Sequence, residues 1–155
     1  MQWNVVIPCY QQAPWLEACV RSVARATLTL SPAQFVATIV DDASPDGTPE
    51  LARYLQAVYP WLRYIRHPVN RGVSAARNTG IRSVQSQYVL VLDADDRLSR
   101  KFLTVCTDVL ATADIAFTDR RRFGDAWQYH PASQVTIERL QQGPFIHCSC
   151  PYRRA

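Results

Sequence analysis

Short apolar runs alternate along this chain with longer amphipathic stretches. Asn4-Val5-Val6-Ile7 is an apolar run closed by Pro8 and reads as a buried strand. Leu16, Cys19, Val20 and Val23 then recur at the i, i+3, i+4, i+7 spacing of an amphipathic helix. Phe35 to Val40 is a second strand, ending in the polar loop Asp41-Asp42-Ala43-Ser44-Pro45-Asp46-Gly47. Thr48 has the character of an N-cap with Pro49 at the first helical position, and that helix runs to about Val58. Leu62 to Ile65 is a third strand. Gly72 to Gln85 reads as a helix whose small residues Ala75, Ala76 and Gly80 permit close approach to a sheet. Tyr88 to Leu92 is an uncharged fourth strand that stops at Asp93-Ala94-Asp95-Asp96. Ser99 is placed to cap a helix with an apolar face of Phe102, Leu103, Cys106 and Leu110, and Ile115-Ala116-Phe117 follows as a fifth strand. Beyond Asp119 the pattern weakens to a strand at Trp127–His130, a short helix at Ile137–Gln142 and a strand at Phe145–Cys148.

Strands alternating with helices predict an α/β fold: three layers, α/β/α, around a mostly parallel sheet with right-handed crossovers. Ligands in such sheets bind beyond the carboxyl ends of the strands. The polar loops after the first, second and fourth strands are therefore the places to look for chemistry.

At 155 residues the chain amounts to one domain. The net charge of +4 is mild and gives little ground for nucleic-acid binding. The basic runs Arg120-Arg121-Arg122 and Arg153-Arg154 read as solvated loops. The five cysteines are scattered and odd in number, against a disulfide framework. Cys148 and Cys150 would share one face of a strand, where core-facing thiols are the simpler reading than a metal or redox pair. No apolar stretch approaches the ~18 residues of a membrane span. The first strand begins too early for a signal peptide, so the chain reads as cytoplasmic, or peripheral at the inner face of a membrane.

Asp93-Ala94-Asp95-Asp96 is the sharpest feature. Carboxylates crowded at the end of a buried strand repel one another unless a cation joins them. Mg²⁺ or Mn²⁺ takes oxygen ligands and is often held by one or two carboxylates plus substrate phosphates. An acidic turn capping a helix N-terminus is the competing reading. Asp41 and Asp42 could accept hydrogen bonds from a nucleobase or ribose, or could serve turn chemistry. Tyr10 offers a flat face for a base, although its position alone favours a buried aromatic. Asn70-Arg71-Gly72 and Arg77-Asn78 bring arginines to a helix start, suited to phosphate or to pairing with a strand-end carboxylate.

Together these segments resemble the family 2 glycosyltransferases. Val5-Val6-Ile7-Pro8-Cys9-Tyr10 is similar to that family's opening V-I-P-x-Y-N, with Gln11 in place of the usual Asn. Val40 to Thr48 is similar to V-D-D-x-S-x-D-G-T, Asn70 to Gly80 to N-x-G-x-x-x-A-R-N-x-G, and Leu92 to Asp96 to L-D-A-D-D. The four motifs lie in order over residues 5 to about 103. The resemblance implies a GT-A fold that transfers sugar from a nucleotide-diphospho-sugar, most often uridine-based, to a hydroxyl of a glycan, lipid-linked or other acceptor. Pro8, Tyr10 and Asp42, with Asp41 close by, would hold base and ribose, and Asn70 would be a further nucleotide-sugar-binding residue. Arg77 would sit near the donor sugar. Asp93, Ala94 and Asp95 would form the D-x-D site, with Asp93 and Asp95 as ligands of Mn²⁺ or Mg²⁺.

The resemblance also implies inversion by in-line displacement, with a carboxylate base in a motif beyond Ala155. Residues 1–118 would then be the donor-binding core and 119–155 the start of the acceptor side. Asp119, Asp125 and His147 do not match the base motif. Two alternatives remain at this point, a catalytically inactive nucleotide-sugar-binding module and a receiver-like signalling domain. The receiver is disfavoured because its acid pair would follow the first strand, and because Lys101 does not follow a fifth strand.

Overall fold

The computed structural model describes residues 2–28, 30–31, 33–132, 141, 147 and 149–154. Four parallel strands form the centre: β1 (Trp3–Cys9), β2 (Phe35–Asp41), β3 (Leu62–Arg66) and β4 (Tyr88–Val91). A two-residue strand, β7 (Tyr152–Arg153), closes the edge antiparallel to β4, giving the order β3-β2-β1-β4-β7. Helices α1 (Ala13–Ala26), α2 (Thr48–Val58), α3 (Val73–Ser83) and α4 (Phe102–Leu110) connect or follow the strands. A separate hairpin pairs β5 (Arg120–Arg122) with β6 (Gln128–His130).

The pleat of β1 sorts the layers. Val5 and Ile7 join Ile39 and Leu90 in a core that includes Leu16, Val20, Leu55, Leu103 and Leu110 from α1, α2 and α4. Val6 faces the other way and packs with Val40, Val91 and Ala76 against α3 alone. The three-layer α/β/α arrangement and the mostly parallel sheet agree with the pattern read from the sequence. Gly80 sets the approach of α3 to the sheet: a Cβ built there would lie 2.3 Å from Val6 Cγ1. The buried Asn4 side chain donates to the Gly80 carbonyl at 3.1 Å across the same contact.

Several local expectations need correction. β1 continues through Pro8 to Cys9. Gln2 and Val6 accept from Tyr88 and Leu92, so even-numbered residues of β1 bond toward β4. The N–H that Pro8 lacks lies on that side, past the last β1–β4 pair, Val6 with Val91. Thr48 is inside α2, and its hydroxyl accepts instead from the Gln12 amide at 3.3 Å. The N-cap of α2 is Gly47, and Asp46 before it accepts from Thr48 N at 3.2 Å and from Ala13 N at 3.4 Å, tying together the starts of two helices. Ser99 gives α4 no side-chain cap; its carbonyl accepts from Phe102 N. Helix α3 is shorter than expected at both ends.

The fifth strand expected at 115–117 is reduced to one bridge, Ile115 with Tyr152. The ladder position beside β4 goes to Tyr152–Arg153 instead. Arg153 and Arg154 are accordingly not a solvated run. Arg154 donates to the carbonyls of Ile81 and Val84 at the end of α3, at 3.1 and 2.7 Å. Arg153 donates to Leu110 O and Ala113 O at the end of α4. Cations suit helix C-termini, where carbonyls lack intrahelical partners. Residues 120–122 form a strand rather than a loop, and 128–130 confirm the strand expected there. The helix expected at 137–142 and the strand at 145–148 lie, apart from Gln141 and His147, outside the described residues.

Gly80→Ala forces a methyl group onto Val6. We expect a loss of about 1–3 kcal/mol, read as a lower urea midpoint at unchanged m-value.

Candidate active site

Beyond the carboxyl ends of β1, β2 and β4 lies a cavity of about 430 Å³. It opens where the chain order reverses, between β1 with β2 on one side and β4 on the other, the position at which doubly wound sheets bind ligands. Pro8, Tyr10, Asp42, Asn70, Arg77, Asp93, Ala94 and Asp95 all line it. Asp41 does not. The two adjacent acids leave β2 on opposite faces, and Asp41 is wholly buried. It accepts from Ser44 N at 2.8 Å and from the Tyr64 hydroxyl at 2.8 Å, with Arg66 Nε at 3.5 Å. Burial, then Asp41, pushes the Tyr64 hydroxyl up to about 12. Asp41 is thus a scaffold carboxylate beneath the loop.

Asp42 is nearly as buried but reaches the cavity wall. One of its oxygens accepts from His67 Nδ1 at 2.6 Å and Arg71 N at 2.9 Å, the other from Gly72 N at 2.7 Å. Burial works against the charge of Asp42, yet these three hydrogen bonds outweigh it and hold the carboxyl below its ordinary value. An ionised carboxylate accepts about four hydrogen bonds, leaving room for roughly one more. His67 passes through to the Thr79 hydroxyl at 2.9 Å, so Asp42 is linked to α3 at two points. Gly72, at φ 85° and ψ 159°, occupies backbone space essentially reserved for glycine. Asn70 Oδ1 also accepts from Gly72 N, at 3.1 Å.

The floor of the loops carries strain of its own. Gln11 and Ala43 have φ of 56° and 63°, unusual for residues with side chains. Ser44 joins them, its hydroxyl accepting from Gln11 N at 3.0 Å. Asn tolerates this left-handed conformation better than Gln, which gives a physical meaning to the departure at Gln11. Tyr10, next to it, is 42% exposed and forms part of the cavity rim, so the buried reading that its position favoured does not hold. Cys9 also lines the cavity, but burial, then Asp41 and Asp46, pushes its thiol up to about 12, keeping it protonated and inert.

At the opposite wall Arg77 Nη2 meets both oxygens of Asp93, at 2.9 and 3.3 Å. The guanidinium that could pair with a strand-end carboxylate does so. Asp95 is exposed on the cavity wall and has no protein partner among the described residues. Burial, then Asp95 and Asp93, raises the proton affinity of Asp96, the signature of a crowded acidic turn. Among the described residues no group of three or more His, Cys, Asp or Glu converges as a ready-made metal cage. Two carboxylates beside an open cavity fit a hard cation that takes its remaining ligands from phosphate and water.

Residues 4–151 match glycosyl transferase family 2. The chain belongs to that family. Its relatives include the Escherichia coli K12 glycosyltransferase YibD, 31% identical over 150 residues, or 91% of this chain and 41% of YibD. Among solved structures, S. aureus TarS in complex with UDP-GlcNAc superposes with a TM-score of 0.79 at 19% identity, over 99% of this chain and 45% of that one. The mannosyltransferase PcManGT from Pyrobaculum calidifontis, in complex with GDP-Man and Mn²⁺, gives 0.77 at 21%, over 99% and 44%. The fold is therefore GT-A. The chain spans less than half the length of these relatives. A receiver domain is ruled out by the antiparallel edge strand and by Lys101, which stands at the start of α4.

His67 and Thr79 escaped the sequence reading. His67 lies just after β3, and nothing in its neighbours signals that its ring reaches Asp42. Thr79 sits inside the A-R-N-x-G motif at the unspecified position, four residues before the end of α3 at Ser83. Of the fallback acids, Asp119 lies on the hairpin, where Ala132 N at 2.6 Å and the Tyr129 hydroxyl at 2.5 Å hold its carboxyl below the ordinary value.

The linkage for Asp42 has a definite sign. Its folded pKa lies below the unfolded ~3.9, so its stabilisation is present above that value and is lost as pH falls through the folded one. Asp42→Asn should be less stable than wild type at pH 7, and the gap should narrow on acidification below about pH 4. Urea titrations across pH 2.5–7 read both curves; parallel curves would contradict the ionised assignment.

Proposed function

We propose that the cleft binds a nucleoside-diphosphate sugar, a UDP-sugar first, and supplies the donor half of a transfer to an acceptor hydroxyl. The observation that carries this reading is the meeting of Tyr10, Asp42, Arg77, Asp93 and Asp95 around one cavity at the switch point of the sheet. Each brings a different piece of recognition chemistry. The exposed Tyr10 ring offers a face to a planar base. Asp42, already ionised and fixed, has an acceptor direction left for a base or ribose donor. Arg77 is held against Asp93, so its positive charge is oriented before any diphosphate arrives.

Asp95, assisted by Asp93, would hold Mn²⁺ or Mg²⁺, which stabilises charge on a leaving diphosphate. Until a cation is present, the acidic turn repels that diphosphate. Asp93 is partly neutralised by Arg77, whereas Asp95 is not, which makes Asp95 the stronger candidate for direct contact. Transfer would proceed in line with inversion, the hydroxyl entering opposite the departing diphosphate. Neither Asp42 nor Asp119 suits the role of base. The hydrogen bonds that hold both carboxyls below their ordinary value leave them with little affinity for a proton. The base falls to residues outside the donor cleft.

UDP with Mn²⁺ should raise the stability of the chain by about 2.7 kcal/mol at 100 times its dissociation constant. Neither UDP alone nor UDP with Mn²⁺ on Asp95→Ala should match it. Thermal melts with millimolar UDP read this directly. No shift with both ligands present would overturn the assignment. Metal-dependent binding without acceptor-dependent UDP release would mark the chain as a donor-binding module.

A further inference from the structure

A second, larger groove of about 1160 Å³ lies between the end of β4, the start of α4 and the β5–β6 hairpin. Among the described residues four arginines line it: Arg97, Arg120, Arg121 and Arg122. The carboxylates on its wall among the described residues are Asp96 and Asp119, and Asp119 is already committed to Tyr129 and Ala132. Aromatic rings alternate with the arginines. Arg97 lies 5.0 Å over the Phe123 ring and Arg121 5.8 Å over that of Tyr129, so two guanidinium groups are held in the groove by cation–π contact. Trp127 stands on the same wall with 80% of its surface exposed, a large apolar face.

The groove shares a strand end with the donor cleft. Leu92 and Asp96 line the groove, while Asp93, Ala94 and Asp95, between them in sequence, line the cavity. A molecule lying along the groove would therefore end beside the proposed donor. Aromatic faces suit the C–H faces of sugar rings, and the guanidinium fork suits a carboxylate or phosphate. A surface with both, opening onto a transfer site, fits an acceptor made of charged sugars.

We infer that this groove is the acceptor-binding site, and that it takes an anionic oligosaccharide whose pyranose rings stack on Trp127 and whose negative groups pair with Arg120 and Arg122. The inference rests on the donor reading above, because the groove's purpose follows from what lies at its end. Its test is separable from that reading.

Binding to the unmodified chain is measured by calorimetry with four probes. These are a hyaluronan hexasaccharide carrying carboxylates, a phosphomannan pentasaccharide carrying phosphates, neutral maltohexaose, and poly(U). At least one anionic sugar should bind roughly tenfold or more tightly than maltohexaose, and which one binds identifies the acid. Trp127→Ala and the double variant Arg120→Gln/Arg122→Gln should each weaken that sugar about tenfold, while Mn²⁺-dependent UDP binding stays unchanged. Both substitutions are on exposed side chains, and the UDP measurement doubles as the check that each variant is folded. The proposal is overturned if neither anionic sugar binds. It is also overturned if poly(U) binds as tightly as the better sugar, or if Trp127→Ala leaves sugar binding unmoved. Loss of UDP binding in the unmodified chain with sugar binding intact would instead sink the donor reading.

Discussion

A buried carboxylate must be paired, and the way Asp42 is paired sets up the whole cleft. Its partners come from one stretch of chain: His67, Arg71 and Gly72. Satisfying that single charge folds the loop after β3 back over the end of β2. It holds Gly72 in a conformation open to glycine and starts α3 immediately afterwards. Once α3 is started there, Gly80 brings it against Val6, and Arg77 arrives opposite Asp93. The side chain that grips the acidic turn is thus placed by a carboxylate on a different strand. His67 and Thr79 make the linkage rigid by adding a second tie between Asp42 and the same helix.

Most of the sheet was legible in the sequence because its strands are apolar and short and are separated by strong turn residues. The four parallel strands and the helices between them fall where the periodicity puts them, give or take end residues. The cleft residues were legible because their motifs occur together and in order. What could not be read was pairing at a distance. Nothing local distinguishes Asp41 from Asp42, and only the pleat of β2 decides which one faces the cavity. Nothing local marks Arg153 and Arg154 as helix caps, since the carbonyls they meet lie 40 to 73 residues away in sequence. The same distance hid β7, which takes the ladder position that residues 115–117 were expected to fill.

Charge is divided unevenly around the end of β4. On one side are acidic groups balanced in part by Arg77; on the other, arginines interleaved with aromatic rings. The two surfaces meet at a five-residue stretch from Leu92 to Asp96. A sequence so short can serve both because the chain turns there, Asp96 N donating to Asp93 O at 2.9 Å, so that its middle lines the cavity and its two ends the groove.

The antiparallel edge strand has a consequence for how the protein is made. Tyr88 and Val89 on the outer side of β4 pair with Arg153 and Tyr152, some sixty residues after β4 is synthesised. Through that interval on the ribosome, a fully apolar strand presents an open ladder of amides and carbonyls, a template for pairing with another nascent chain. Closure comes from a two-residue strand, reinforced by arginines that clasp helix ends on both sides of it. Assembly of this sheet is therefore a late and long-range event.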